Sequence, residues 1–200
     1  LFTPVSSGRP YEMLVVMDKD MWERPAGRAL FNVLDQDVSG LPQPERSFRI
    51  SQIIPDKFKR GFRIFRNIID VDIQPIYTQG KLKYSRDSNA SPQMIMTIQA
   101  PDEATFEEFV GKNKQVILDL FTKAEMNRQI AQLKKDHNQL ASTKVGSTFG
   151  CDVWIPSEME RYKQGEDFYW FSADRGNTLL NFVIYSYPYT DKNTFTRDFF

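Results

Sequence analysis

From Pro101 to about Leu140 the chain carries the pattern of one long amphipathic helix, and this run constrains the architecture more than any other segment. Phe106, Phe109, Val110, Ile117, Leu120, Phe121, Ala124 and Leu133 recur at helical spacing and mark an apolar stripe. Asp102 stands where an N-cap belongs, and Glu103 favours the positive end of the helix dipole. Gly111 is expected to bend or divide the run, since glycine inside a helix costs about 1 kcal/mol relative to alanine. A stripe this long has to be covered by another layer.

The remaining segments supply that layer. "YEMLVVMD" (11–18) is an apolar run of strand length closed by polar residues. "DMWERPAGRALFNVLDQD" then predicts a helix with Ala26, Leu30, Val33 and Leu34 on one face and Pro25 in its first turn. After the loop "SGLPQPER", "SFRISQII" and "RIFRNIIDVDI" read as strands around the turn-like "PDKFKRG". The second places Phe65, Ile69, Val71 and Ile73 on one side and Arg66, Asp70 and Asp72 on the other. "KLKYSRDSNASPQMIMTIQA" predicts a hairpin with a polar tip near Ser88 to Ser91.

Beyond the long helix, "FGCDVWIP" predicts a strand, "SEMERYK" a short helix capped by Ser157, and "EDFYWFSA" and "TLLNFVIYSYPY" two strands. Asp174, Arg175, Gly176 and Asn177 form the turn between those two. A strand–helix–strand–strand order thus occurs twice, as an internal duplication would leave it. The expected class is α+β, with largely antiparallel sheet and one long helix. Residues 1–10 read as a linker and 11–200 as one domain, with halves at 11–100 and 101–200 if the order reflects duplication. "TDKNTFTRDFF" reads as the opening of a helix capped by Asp191, with Phe195 and Phe199 one turn apart, so the C-terminus looks truncated.

A single cysteine in 200 residues allows no intrachain disulfide, so packing alone must hold the fold. A hydrophobic content of 40%, 14% aromatic, argues against general disorder. The 26 basic residues balance 26 acidic ones, so no overall field steers the chain to nucleic acid or an anionic membrane. No apolar run is long enough to span a bilayer, and "LFTPVSSGRP" has neither the basic flank nor the apolar core of a signal peptide.

Candidate chemistry is sparse. His137 and Cys151, each the only residue of its kind, make a nucleophile and a base if the fold brings them together. The alternative is a helix-end histidine serving the dipole and a cysteine filling a small apolar space. "GSTFG" (146–150) resembles a nucleophile elbow only in spacing, because it leads from helix to strand, and reads as a connector. Asp70 and Asp72 share a strand face, their carboxylates roughly 6–7 Å apart from the strand rise. That spacing serves sugar hydrolysis or calcium binding, and equally a solvated sheet face. No zinc spacing and no Gly-x-Gly-x-x-Gly occurs, so no metal, cofactor or catalytic residue is assigned. The last strand puts Leu180, Phe182 and Ile184 on one face and Asn181, Tyr185, Tyr187 and Tyr189 on the other, next to Tyr169 or Trp170. Tyr185, Tyr187, Tyr189 and Trp170 are therefore the candidate binding residues, either outward-facing or covered by another helix.

"PYEMLVVMDKDMWERPAGRALFNVLDQDVSGLPQPERSFRISQI", "RNIIDVDI" and "GCDVWIPSEMERYKQGEDFYWFSA" resemble a family of predicted lipoproteins from Bacteroidetes, whose domain has no assigned function. The resemblance implies a lipidated cysteine upstream of Leu1, further residues after Phe200, and a place in the cell envelope facing periplasm or exterior. It implies no catalytic or ligand residues. The expected function is a lipid-anchored interaction module that binds another envelope component without catalysis, touching membrane only through its anchor and taking no nucleic acid. The alternatives are a glycan- or small-ligand-binding module built on the tyrosine row, and a hydrolase.

Overall fold

The computed structural model describes residues 3–176 and 178–196. The chain is α+β and divides into two compact units, Leu1–Arg128 and Gln129–Phe200. The halves read from the element order met at residue 100; these units meet inside a helix.

The first unit runs β1 (Glu12–Val16), α1 (Lys19–Glu23), α2 (Pro25–Leu34), β2 (Arg49–Ile53), a 3-10 turn (Pro55–Lys57), α3 (Arg60–Arg63), β3 (Asn67–Ile73), β4 (Lys81–Arg86), β5 (Met94–Ala100), α4 (Glu103–Lys112) and α5 (Lys114–Lys135). Its five-stranded sheet has the order β2-β1-β3-β5-β4. β1 pairs in parallel with β2 and β3, β3 pairs in parallel with β5, and β4 alone runs antiparallel, beside β5. The antiparallel pairing anticipated for most of the protein therefore gives way here to a mixed sheet. The cause lies in β1, where Met13 to Met17 are all buried. A strand with no polar alternate face needs cover on both sides, which is the situation of a central parallel strand.

Met13, Val15, Ile69, Met96 and Ile98 face the main core, where Leu30 of α2, Phe106 and Val110 of α4, and Ile117 and Phe121 of α5 meet them. Leu14, Val16 and Ile68 point the other way, into a smaller cluster with Phe58 and Phe65. Asp102 caps α4 as expected, its carboxylate accepting from the Thr105 N–H at 2.7 Å. The long helix divides two residues after Gly111, at Asn113, whose backbone N–H and side-chain amide both donate to the Phe109 carbonyl. Gly27 marks the closest helix approach, because a Cβ there would lie 2.4 Å from the Trp22 backbone. Residues 4–7, read as linker, are tied to this unit by backbone bonds to Ile64, Arg66 and Ser91.

The second unit holds the end of α5, then α6 (Gln139–Phe149), β6 (Arg161–Gln164), β7 (Phe168–Asp174), β8 (Leu179–Tyr185) and a 3-10 turn (Lys192–Phe195). The strands form an antiparallel sheet in the order β6-β7-β8. Asn138 caps α6 through Ala141, and Gly150 ends it at φ +67, a conformation open to glycine without strain. The expected strand at 149–155 is thus a helix end followed by irregular chain, and the expected short helix from Ser157 is a turn leading into β6. The strand–helix–strand–strand order does not recur. Tyr169, Phe171, Leu180, Phe182 and Ile184 turn inward against Ala141 and Val145 of α6. Asp191 accepts from the Asn193 N–H, as a cap does, while Phe199 and Asn177 lie outside the described residues.

Candidate functional site

The histidine and the cysteine do not form a reactive pair. His137 occupies the break between α5 and α6, where its Nδ1–H donates to the Leu133 carbonyl at 2.8 Å and its Nε2 accepts from Gln139 at 3.1 Å. Both ring nitrogens are thus engaged, and the ring rests 5.8 Å from that of Trp154. Cys151 is exposed in irregular chain, in place of the small apolar filler expected within a strand. "GSTFG" is the last turn of α6 and its cap, which rules out an elbow on geometric grounds.

Asp70 and Asp72 do share a face of β3, and each has its own environment. Asp72 accepts from Gln74 (2.6 Å) on Oδ1 and from Gln99 (3.0 Å) and Tyr77 on Oδ2. Partial burial pulls its pKa up, but the hydrogen bonds from Tyr77, Gln99 and Gln74 outweigh that and hold it below the ordinary carboxylate value. Asp70 is half-buried, and no side chain or backbone group among the described residues hydrogen-bonds to its carboxylate. Burial raises its pKa, Asp72 adds to the rise, and Arg63 partly opposes it. Both carboxylates, with Asp18, Met17, Met21 and Ile73, line a cavity of about 290 Å³. The cavity opens at the C-terminal ends of β1 and β3. The chain enters the sheet at β1, places β2 on one side and then crosses to β3 on the other, so the strand order reverses there. Ligand crevices of open parallel sheets lie at such points.

At the opposite, N-terminal end of β3 sits a cluster that sequence reasoning passed over. Glu125 continues the Ile117–Phe121 stripe of α5 and is fully buried. Its carboxylate takes a two-pronged contact from Arg66, at 3.0 and 2.6 Å, and further bonds from Asn67 at 2.6 Å and Arg128 at 2.9 Å. Arg128 also donates to the Asn67 side chain and the Arg66 carbonyl, and Asn67 to the Glu12 carbonyl. Arg66 was expected on the face of the aspartates; it turns to α5 instead. Every charge here is engaged, which makes the cluster a clamp between helix and sheet. The available signal was spacing, since Glu125 falls one turn after Phe121 where an apolar residue belongs.

In the second unit the outer sheet face carries an apolar row between polar and basic positions. Phe168 stands opposite Tyr185, and Trp170 opposite Val183. Val183 and Tyr185 are both 54% exposed. Trp170 gives its indole N–H to the Asn181 side-chain oxygen at 2.9 Å, so its ring has only apolar and π contact left to offer. Lys163 lies over that ring at 5.3 Å, and Arg161 joins it on the same face. Neither makes an ion pair among the described residues. The anticipated row is only partly a strand feature. Tyr187 follows the end of β8 and packs on Tyr185 with ring centroids 5.8 Å apart, whereas Tyr189 stacks on Phe195 at 5.5 Å. Phe168 and Val183 were not singled out from the sequence, although the alternation of β7 and β8 places them on this face.

Residues 6–134 match the family model "Domain of unknown function (DUF8532)". The chain belongs to the DUF8532 family. Residues 138–200 match a second model, "Domain of unknown function (DUF4837)". The models change over between residues 134 and 138, at the α5–α6 break and within a few residues of the division between the compact units. Sequence similarity and contacts within the fold therefore partition the chain at nearly the same place. No curated protein and no solved structure matches it. Among the described residues no group of three or more His, Cys, Asp or Glu is arranged to hold a metal ion. No helix among them is long and apolar enough to cross a membrane.

Proposed function

We propose that this protein is a non-catalytic binding domain of the cell envelope, and that its second unit docks another envelope protein through the outer face of β6, β7 and β8. The observation that carries the reading is the apolar row of exposed Phe168, Val183 and Tyr185 with half-buried Trp170 among them, on a sheet whose β8 edge pairs with no further strand among the described residues. β8 has no charged residue between Leu179 and Tyr185. An open edge of that composition invites pairing unless something covers it. An exposed apolar row suits a protein better than a sugar or small ligand, which needs a recess with polar groups converging on it. None of these four residues lines a cavity described here. Arg161 and Lys163 would meet carboxylates at the partner's rim. The envelope setting and an N-terminal lipid anchor belong to the same proposal, supported by the likeness to Bacteroidetes lipoproteins.

The test is a photoreactive phenylalanine analogue in place of Val183, introduced into cells that make the full-length protein. The reading expects a discrete protein adduct that Trp170→Ala abolishes, since central aromatic anchors contribute about 2 kcal/mol or more. Adducts confined to lipid, or none, would contradict it. Saturable capture of a glycan that is lost on Tyr187→Ala would replace the protein partner by a sugar.

A further inference from the structure

We infer that the cavity between the C-terminal ends of β1 and β3 is a second binding site, for a small organic cation that carries a primary ammonium group on an aliphatic body, with Asp70 as its counter-ion. Three observations converge, each independent of the aromatic face in the other unit. The cavity, about 290 Å³, lies where the strand order reverses, at the edge of the sheet to which open parallel sheets bring their ligands. Its lining is mixed, with Met17, Met21 and Ile73 beside carboxylates, which suits a charge attached to methylenes.

The third observation is the asymmetry of the carboxylates. Asp72 is occupied by Gln74, Tyr77 and Gln99, so it cannot serve as the second free group that hydrolysis requires. Asp70 faces the same cavity, half out of water, without a hydrogen-bond donor. A half-desolvated carboxylate with no donor is satisfied by an incoming N–H, and a charge-assisted bond is the strong form of that contact. No lysine or arginine lines the cavity, and Arg63, the cation whose charge acts on Asp70, forms no ion pair with it. A divalent metal fits less well, because Asp18, Asp70 and Asp72 all line the cavity but no group of three among the described residues is arranged to hold a metal ion.

Titration calorimetry of the whole chain with 1,5-diaminopentane, pentan-1-ol and calcium chloride tests the site. Saturable binding of the diamine at one site is expected, with no binding of the alcohol, and a loss of at least tenfold in affinity for Asp70→Asn. That variant should fold at least as well as the parent. A carboxylate whose folded pKa is raised costs the fold stability as pH rises from its ordinary pKa to the raised one, fully so above it, and asparagine removes the cost. Circular dichroism of the variant verifies this. No saturable diamine binding, equal binding by Asp70→Asn, or binding of calcium in place of the diamine would each overturn the inference.

Discussion

Replacement of Glu125 by alanine is expected to cost the first unit about 3–5 kcal/mol, the usual penalty for removing one partner of a buried ion pair. Glu125 is fully buried, and both guanidinium groups that flank it are nearly so. Burial alone draws the Arg128 pKa down, Glu125 opposes this, and Arg66 reinforces it. Without the carboxylate, two positive groups would face one another out of water, and the Asn67 amide would lose an acceptor. Glu125→Gln keeps the volume and one acceptor and should cost less. Amide exchange in β1 and β3 reports the first unit directly, because both strands lie within it. Protection unchanged in Glu125→Ala would show that the clamp does not hold helix to sheet.

Phe121→Ala should be comparably destabilising, also by about 3–5 kcal/mol. The ring is fully buried and meets Phe48 nearly edge-on, at 6.4 Å and 79°. Edge-to-face pairs of this kind add about 0.5–1.5 kcal/mol to the burial itself. Alanine leaves a void that the sheet on one side and the helices on the other cannot close, since both are already packed. Phe121→Leu retains most of the apolar volume and should lose about half as much. An unfolding free energy from urea titration of Phe121→Ala within about 1 kcal/mol of the parent would mean that this face of α5 is not packed as described.

These residues illustrate what the chain's pattern reveals and what it hides. The helical stripe from Phe106 to Ala124 and the cap at Asp102 are local signals, and both are realised. The inward and outward faces of β8 follow from period-two alternation. The parallel pairing of β1 with β2 and β3 is not local: Val15 meets Gln52 and Ile69, partners far along the chain that no nearby turn announces. The hint was composition, since five consecutive buried positions from Met13 leave β1 no solvent face. The segment 146–150 reads as a connector because of Gly146 and Gly150, whereas one lies within α6 and the other ends it. Glu125 breaks the apolar spacing, but the cluster around it was not legible because Arg66 and Asn67 reach it only in the folded unit, Arg128 alone being a local partner. Asp70 and Asp72 were legible as a pair. Their division into an engaged and an unengaged carboxylate depends on Tyr77 and Gln99, which flank them only in the folded sheet.

We propose that the outer face of the second sheet is the docking surface of this protein. Hydroxyl-radical footprinting tests it most directly, by comparing the purified chain with the same protein in its own cells. Tyr84, 65% exposed in the first unit, serves as the internal reference. The account predicts rapid oxidation of Phe168 and Tyr185 in the purified chain and strong protection of both in cells, with Tyr84 equally reactive in the two settings. Equal reactivity of Phe168 and Tyr185 in both would contradict it.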